Sequence, residues 1–192
     1  MKNFIKNIKR SFASDQVDFA KIRQVKTPQR ANAHDAGTDF YIPDATAEFV
    51  EVLKEKNKDN NLGYVIREDE SGNPIMDIRI PAGEQILIPS GIKVNIHNKN
   101  SFLIATNKSG IASKKHLVTG ACVIDADYQG EIHINLLNVG NEEVIVSTGM
   151  KVVQFIHEYF INTEWNEIPV NEYNSIQTSD RGAGGFGSTT LK

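Results

Sequence analysis

The sequence predicts an all-β domain, a barrel or a sandwich built from short strands. Strand-like segments separated by glycine, proline and asparagine dominate its second half, which is typical of such folds. The clearest segment is 131–136, where Ile132, Ile134 and Leu136 alternate with polar residues at the period of a half-buried strand. At 192 residues, the chain is long enough for one domain of ordinary size with a hydrophobic core.

The composition excludes several classes of function. The chain is 40% hydrophobic and 23% charged, and its formal net charge of -3 does not predict binding to nucleic acid or to a membrane surface. No apolar run approaches the ~20 residues of a membrane span. The single cysteine excludes an internal disulfide and favours a reducing, cytoplasmic compartment.

Residues 1–15 are predicted to form an N-terminal extension. Phe4, Ile5 and Ile8 fall on one face of a short basic amphipathic helix. The segment lacks the apolar core and cleavage site of a secretory signal, which favours a frayed or docked terminus over a targeting segment. The first strand is predicted over 18–26.

An acidic cluster follows. Asp35, Gly37 and Asp39 suit a turn at the mouth of a strand, because glycine adopts backbone angles that other residues avoid. His34 is expected to be a surface residue.

The segment 46–76 is predicted to be a surface insertion. We expect a charged helix over 46–57 and a hairpin that pairs 64–67 with 75–80 across a turn at 70–73. Elaborations on a β scaffold normally lie on the surface. The insertion can recruit a partner, cover a functional site or be a tolerated extension, and the sequence leaves these three readings open.

Further strands are predicted at 85–89, 92–96 and 102–105. Behind them, Lys108, Ser109 and Gly110 place a cation, a hydroxyl and a glycine in succession, which suits a phosphate group. The alternative is a Ser-Gly turn with a solvated basic flank.

The segment 120–138 is predicted to be a β-hairpin with Asp125, Asp127 and Tyr128 at its bend. A carboxylate held at the end of a rigid strand can be aimed at a water and act as a general base. The alternatives are two turn-capping carboxylates and a tyrosine that only packs. Cys122 is expected to be a small core residue and His133 an ordinary surface histidine.

Beyond a strand at 144–146, Trp165 is predicted to be a packing anchor. The tail, 166–192, is predicted to be a flexible C-terminal arm with a glycine-rich end at 179–189. That end also fits a dinucleotide fingerprint, but no helix follows it and no βαβ unit surrounds it. We expect the arm to order over a substrate as a lid.

Five stretches, in order along the chain, resemble the signature motifs of the trimeric dUTPase family. They are 33–41, 106–117, 120–138 with its run Val-Ile-Asp-Ala-Asp-Tyr-Gln-Gly-Glu-Ile, 149–155, and 179–189. The chain departs from the usual pattern at Phe40, Asn107, Lys108, Cys122, Met150 and Lys151. Lysine at 108 loses the bidentate fork of the usual arginine. We interpret Met150, in place of the usual aspartate, as a loss of local structure rather than of chemistry.

The resemblance implies a dUTPase-like jelly-roll or β-barrel over 16–165, assembled as a homotrimer whose active sites are shared between chains. The implied reaction is hydrolysis of dUTP to dUMP and pyrophosphate by water attack on the α-phosphorus, which limits uracil in DNA and supplies dUMP for dTMP synthesis. Mg²⁺ is implied, held through the substrate phosphates and water with no direct protein ligand. Asp39 is implied to order metal-bound water.

The resemblance also assigns roles to single residues. Asp125 activates the attacking water, and Tyr128 stacks on the deoxyribose and excludes a 2′-hydroxyl. The uracil edge is assigned to Thr119, Gly120, Cys122, Val123 and Ile124. The phosphates are assigned to Lys108, Ser109, Gly110 and Gln154. The arm is assigned Arg181 for a phosphate, Phe186 for uracil stacking, and Gly187, Ser188 and Thr189 for closure.

Two alternatives stay open. A dCTP deaminase shares this fold and binds a similar nucleotide, but it needs a glutamate beside the hairpin and is not expected to end in this arm. The second alternative is a non-enzymatic or dual-role protein that binds another protein through the insertion.

Overall fold

The structure is a computed structural model that describes residues 16–176 and Gly182. The chain separates into two compact units, the first ending at Phe160 and the second beginning at Ile161. The predicted extension, 1–15, lies outside the described residues. None of the helices in the described ranges is long and apolar enough to cross a membrane.

The first unit is built from antiparallel strands, which confirms the all-β prediction. The strands are β1 Val17–Lys21, β2 Thr38–Tyr41, β3 Gly63–Glu68, β4 Pro74–Ile80, β5 Gln85–Pro89, β6 Ile92–Ile96, β7 Ser101–Asn107, β8 Leu117–Thr119, β9 Val123–Asp125, β10 His133–Asn138, β11 Val144–Ser147 and β12 Lys151–Tyr159. They form four sheets, with strand orders β1-β6, β5-β10-β8, β11-β4-β3 and β2-β12-β7-β9. These sheets do not close into a barrel.

The hydrophobic core lies between these sheets. Strand β10 shows the predicted alternation, since Ile134 and Leu136 are buried while Asn135 between them is only half-buried. Its neighbour β5 contributes Ile86 and Ile88, both fully buried. The period-2 pattern in the sequence therefore identified the face that packs inward.

The first strand is shorter than predicted. Strand β1 ends at Lys21 rather than at residue 26. The chain bends over residues 22–24, where the Ile22 amide donates to the Gly91 carbonyl at 2.8 Å. Val25 then enters the core separately. The segment 18–26 thus contains the end of a strand and the bend that follows it, whereas the sequence pattern predicted one continuous strand.

The predicted helix of the insertion is α1, Ala47–Lys56. Thr46 caps its start by accepting a hydrogen bond from the Phe49 amide at 3.2 Å. Phe49 and Leu53 are fully buried in the core. The expectation that the whole insertion lies on the surface was therefore wrong for the inner face of this helix.

Asn57, just after α1, fixes the helix to strand β5. Its side-chain amide donates to the Leu87 carbonyl at 2.8 Å, and its amide oxygen accepts from the Leu87 N–H at 2.8 Å. This exchange copies the pairing that a neighbouring strand would make, so it satisfies the edge of β5.

The predicted hairpin of the insertion is confirmed as β3 and β4. Asp69 organises its turn by accepting hydrogen bonds from the amides of Ser71 and Asn73 at 2.9 and 2.8 Å. Strand β4 pairs on its other side with β11, and its residues Met76 and Ile78 are fully buried. The end of the insertion is thus part of a core sheet.

The segment 120–138 is not a hairpin, which corrects the central secondary-structure prediction. Strand β9 pairs with β7, whereas β10 pairs with β5 and β8. The two strands therefore belong to different sheets. Local alternation identifies a strand but carries no information about its partner, and here both partners lie outside the segment.

Ser109 and Gly110, for which a Ser-Gly turn was the alternative to a phosphate-binding role, start a short helix, α2, Ser109–Lys115. The residue that caps its C-terminus is His116, which adopts a left-handed conformation with φ of 52°.

The second unit contains helix α3, Val170–Ile176. Trp165 is 96% exposed within the chain, so the prediction that it anchors packing was wrong.

Candidate active site

A buried carboxylate, Asp39, lies among the residues that the sequence analysis connects with the phosphates and metal-bound water. Asp39, on β2, is 3% exposed and accepts hydrogen bonds from the ammonium groups of Lys108 and Lys151, the latter at 2.9 Å. Burial alone would raise the pKa of Asp39, but the bonds from the two lysines outweigh it and hold the pKa below its ordinary value. The hydrogen bond to Asp39 likewise raises the pKa of Lys151.

This cluster carries one negative and two positive charges. The side chain of Lys108 is 21% exposed and that of Lys151 is 46% exposed, so both ammonium groups remain close to solvent. Because two ammonium groups bind one carboxylate, the cluster as a whole has an excess of one positive charge. Such an arrangement suits the binding of an anion such as a phosphate.

Gln154, on β12, lies beside this cluster. Strand β12 pairs Gln154 with Asp39 on one side and with Thr106 on the other. A side chain at Gly37 would meet the Gln154 amide oxygen at 2.3 Å, so only glycine leaves room for it there. The segments of Asp39, Lys108 and Gln154 are therefore brought together.

Ser109 and Gly110 lie in the first turn of α2, directly after Lys108. Both are exposed, so their main chain is accessible from solvent next to the lysine cluster.

Asn107 joins this half of the site to the predicted uracil segment, which the sequence did not reveal. Its side-chain oxygen accepts a hydrogen bond from the Thr119 main-chain N–H at 2.8 Å, and its main-chain carbonyl accepts one from the Gln154 side-chain amide at 3.1 Å. The resemblance marked Asn107 only as a departure from proline. Through these two bonds Asn107 links the end of β7 to Thr119 on β8 and to the Gln154 side chain on β12.

The side chain of Asn135, on β10, fixes the loop that follows β8. The Asn135 side-chain oxygen accepts from the Ala121 amide at 3.1 Å, and a side chain at Gly120 would meet this oxygen at 1.9 Å. Gly120 therefore permits the close approach of this loop to β10.

The other residues assigned to the uracil edge lie alongside strand β7. Val123 pairs with Ile104, and Ile124 pairs with Leu103. Cys122 is half-buried against the core, in agreement with the prediction of a small core residue, and its carbonyl accepts from the Ala105 amide at 2.7 Å. This carbonyl is thus already bonded within the chain.

Asp125 ends β9 and is exposed. It lines a cavity of about 260 Å³ together with Phe102, Val123 and Phe160. The carbonyl of Asp125 accepts a hydrogen bond from the Tyr128 amide at 3.1 Å, which closes the turn. The carboxylate therefore stands at the end of a strand, beside apolar surface and open to solvent.

Tyr128 is 42% exposed and is held by the chain that follows it. Its hydroxyl donates to the Glu131 carbonyl at 2.8 Å, and a side chain at Gly130 would meet this hydroxyl at 2.3 Å. Asp127 differs from Asp125 because its side chain is 92% exposed and pairs with Lys99 at 3.3 Å.

Asp125 and Lys108 do not meet within one chain. Asp125 is opposite Phe102 at the start of β7, whereas Lys108 follows Asn107 at the end of that strand. The five residue steps from 102 to 107 correspond to about 17 Å at the rise of a β-strand. The predicted water-activating residue and the predicted phosphate residues thus form two separate half-sites.

Two local expectations need correction. His133 is half-buried rather than an ordinary surface residue: its Nδ1 lies 2.9 Å from the Glu131 carbonyl, and its Nε2 is buried without a partner. The turn at Met150 is intact, because the Met150 sulfur accepts from the Ser147 amide at 3.1 Å. The Met150 side chain thus contacts the main chain of its own turn.

The arm residues Arg181, Phe186, Gly187, Ser188 and Thr189 lie outside the described residues.

Within the described parts of the chain, no group of three or more His, Cys, Asp or Glu side chains could hold a metal ion. Each Asp39 oxygen accepts one hydrogen bond from a lysine. A carboxylate oxygen has two lone pairs, so the role of Asp39 in ordering metal-bound water stays a prediction.

The chain is similar to enzymes of one family. Residues 75–190, more than half of the chain, match the family model described as dUTPase. The deoxyuridine 5'-triphosphate nucleotidohydrolase of Rickettsia felis is 34% identical over 148 residues, covering 73% of this chain and 95% of that protein. The protein of the same name from Yarrowia lipolytica is 39% identical over 112 residues, covering 58% of this chain and 69% of that protein.

A solved structure supports the same fold. A mutant dUTPase of Staphylococcus bacteriophage 80alpha with dUpNHpp superposes with a TM-score of 0.62 at 19% identity, covering 92% of this chain and 99% of that one. This similarity confirms the predicted jelly-roll class.

Proposed function

The chain belongs to the dUTPase family and hydrolyses dUTP to dUMP and pyrophosphate, and we propose that Asp125 orients the water that attacks the α-phosphorus. The support for this role is the exposed Asp125 carboxylate at the cavity lined by Phe102, Val123 and Phe160. A carboxylate in this position can accept a proton from a water that it also aims, as a general base does.

Tyr128 is proposed to face the deoxyribose, next to this water. Its hydroxyl is engaged with the Glu131 carbonyl, so the ring is held while part of it stays exposed. A fixed ring can exclude a 2′-hydroxyl by its shape. The loop of Thr119, Gly120 and Ala121 is proposed to pair with the uracil edge through main-chain groups.

Lys108, Lys151 and Gln154 are proposed to bind the phosphates together with Ser109 and Gly110. The support is the charge excess around Asp39, combined with accessible main chain at the start of α2. In this role Asp39 keeps the two ammonium groups close despite their mutual repulsion. A phosphate that approaches them replaces water with charge-assisted hydrogen bonds.

We propose that a complete active site combines residues of different copies of the chain in a homotrimer. The rise of β7 separates Asp125 from the phosphate half-site by about 17 Å. This distance is longer than a triphosphate can span. A neighbouring copy that supplies Lys108 beside Asp125 removes this mismatch. The C-terminal arm, with Arg181 and Phe186, is proposed to close over the bound nucleotide.

Mg²⁺ is the proposed cofactor. When bound, it neutralises charge on the triphosphate. We propose that the substrate phosphates and water hold the ion rather than a cage of protein ligands, and that Asp39 accepts a hydrogen bond from metal-bound water.

Deamination of dCTP is not favoured, since the relatives named above are nucleotidohydrolases. The test is to assay pyrophosphate and ammonia released from dUTP and dCTP by the purified protein with Mg²⁺. We expect pyrophosphate from dUTP only. Ammonia from dCTP would show a deaminase instead.

Binding of a protein partner through 46–76 is kept as a second proposal. The observation that favours it is the outer strand β3, whose Val65 and Ile66 are 43% and 60% exposed. Substituting both with threonine tests this proposal, since removal of the whole insertion would also remove core residues. If the double variant still captures every protein that the wild type captures, the proposal is wrong.

A further inference from the structure

A buried ion pair lies behind the loop that carries Tyr128. The Arg23 guanidinium forms two parallel hydrogen bonds with the Glu131 carboxylate, at 3.1 and 3.0 Å. The two side chains are only 9% and 10% exposed. The hydrogen bond that Arg23 donates to Glu131 raises the pKa of Arg23, so the guanidinium keeps its charge. The pair therefore has a fixed geometry.

Glu131 is held from a second direction as well. Its Oε1 also accepts a hydrogen bond from the Gly91 amide at 2.7 Å. Gly91 has a φ of +73°, and a side chain there would lie 3.1 Å from the Cβ of Arg23. The glycine thus allows Arg23 to pass close to the turn and reach Glu131.

The main chain of Glu131 fixes Tyr128. The carbonyl of Glu131 accepts the Tyr128 hydroxyl at 2.8 Å. Between the two residues, Gly130 leaves the space that the tyrosine ring occupies. A shift of Glu131 would therefore move the acceptor of the Tyr128 hydroxyl and with it the ring.

We propose that Arg23 is a positioning residue that sets the sugar selectivity of the enzyme, by fixing Glu131 and through it the ring of Tyr128. This inference rests on the proposed function, in which Tyr128 faces the deoxyribose. Arg23 itself does not touch the substrate. It acts through the position of the 128–131 loop, which decides how closely a 2′-hydroxyl would meet the ring.

Glu48 provides a matched control. Its carboxylate binds the remaining terminal nitrogen of Arg23, on the side of helix α1. The Glu48 side chain is 63% exposed, so Glu48→Gln removes one charged partner of the same guanidinium without leaving a buried charge unpaired. The fork between Arg23 and Glu131 remains in this variant.

The test compares kcat/KM for dUTP with kcat/KM for UTP in the wild type, Arg23→Met, Arg23→Lys and Glu48→Gln. The ratio of the two values does not depend on the fraction of folded enzyme, so a purely structural role of Arg23 would not change it. We expect Arg23→Met to lower the ratio about tenfold, the order of one lost hydrogen bond. Arg23→Lys keeps the charge and the fold but loses the fork, so its ratio falls less. Glu48→Gln keeps the wild-type ratio.

A double-mutant cycle with Tyr128→Phe tests the route of this effect. If Arg23 acts through the Tyr128 hydroxyl, the two substitutions together lower the ratio by much less than the product of their separate effects. Independent effects, or an unchanged ratio in Arg23→Met, overturn the inference.

A wild type that does not hydrolyse dUTP contradicts the proposed function itself. The same cycle, run on the binding of dUMP and UMP by calorimetry, then decides on Arg23. A lowered preference for dUMP in Arg23→Met supports the inference, and an unchanged preference overturns it.

Discussion

Asp125 and Lys108 lie at opposite ends of strand β7. Asp125 is paired with Phe102 through β9, and Lys108 follows the last residue of the strand. In the sequence, Lys108 and Asp125 are 17 positions apart. In the fold, however, the length of strand β7 separates them. If Asp125 activates the water and Lys108 binds the phosphates, as we propose, a second copy of the chain is needed for both to act on one nucleotide.

Mixing two inactive variants tests this arrangement. Asp125→Asn and Lys108→Met each remove one half-site, and chains exchanged by unfolding and refolding together can combine their intact halves. In randomly mixed closed oligomers about a quarter of the sites then carry both intact residues, so we expect about a quarter of wild-type activity. The control is each variant refolded alone. A mixture as inactive as its components would mean that each site lies within one chain.

The Asp39 cluster predicts a pH-dependent stability. The pKa of Asp39 is depressed in the folded protein, so its contribution is fully present above the unfolded-state value near 3.8 and is lost as the pH falls through the folded value. At pH 7, we expect Asp39→Asn to lower the free energy of unfolding by about 1–3 kcal/mol, because charge-assisted hydrogen bonds are lost. Denaturant titrations of both proteins should begin to approach each other near pH 3.8 and converge once the pH is below the depressed pKa of Asp39. A difference that is constant with pH would contradict the ion cluster.

The insertion helix is predicted to be needed for folding. Phe49 is fully buried, so Phe49→Ala should lower the free energy of unfolding by about 3–5 kcal/mol. Val65→Ala in the exposed strand β3 is the control and should change it by less than about 0.5 kcal/mol. Thermal or denaturant unfolding measures both. Equal, small effects would show that the insertion is a dispensable surface extension.

The parts of the fold that depend on local patterning were predictable. The alternation around Ile134 indicates a strand and its buried face, and the residues of 46–57 indicate a helix. The pairing of β9 with β7 was not predictable, because the partner is chosen by contacts between sheets rather than by residues within 120–138. The burial of Phe49 could not be deduced either, since its packing partners lie in other parts of the chain.

The candidate site was predictable only as separate motifs. The resemblance identified Asp39, Lys108 and Gln154 one by one, but not the bonds that link them. Lys151 was marked as a departure, although the structure brings its ammonium group to the same carboxylate as Lys108. Side chains that converge from distant segments leave no periodic signal in the sequence. The link from Arg23 to Glu131 spans 108 positions and is of the same kind.

Pyrophosphate release from dUTP by the wild type, Asp125→Asn and Asp127→Asn, with Mg²⁺ present, tests the central claim most directly. Asparagine keeps the shape of the carboxylate but cannot take a proton from water, so Asp125→Asn should lose activity by about 10²-fold or more while nucleotide binding is largely kept. Asp127→Asn, whose side chain is 92% exposed, should retain wild-type activity. Wild-type rates in Asp125→Asn would contradict the account.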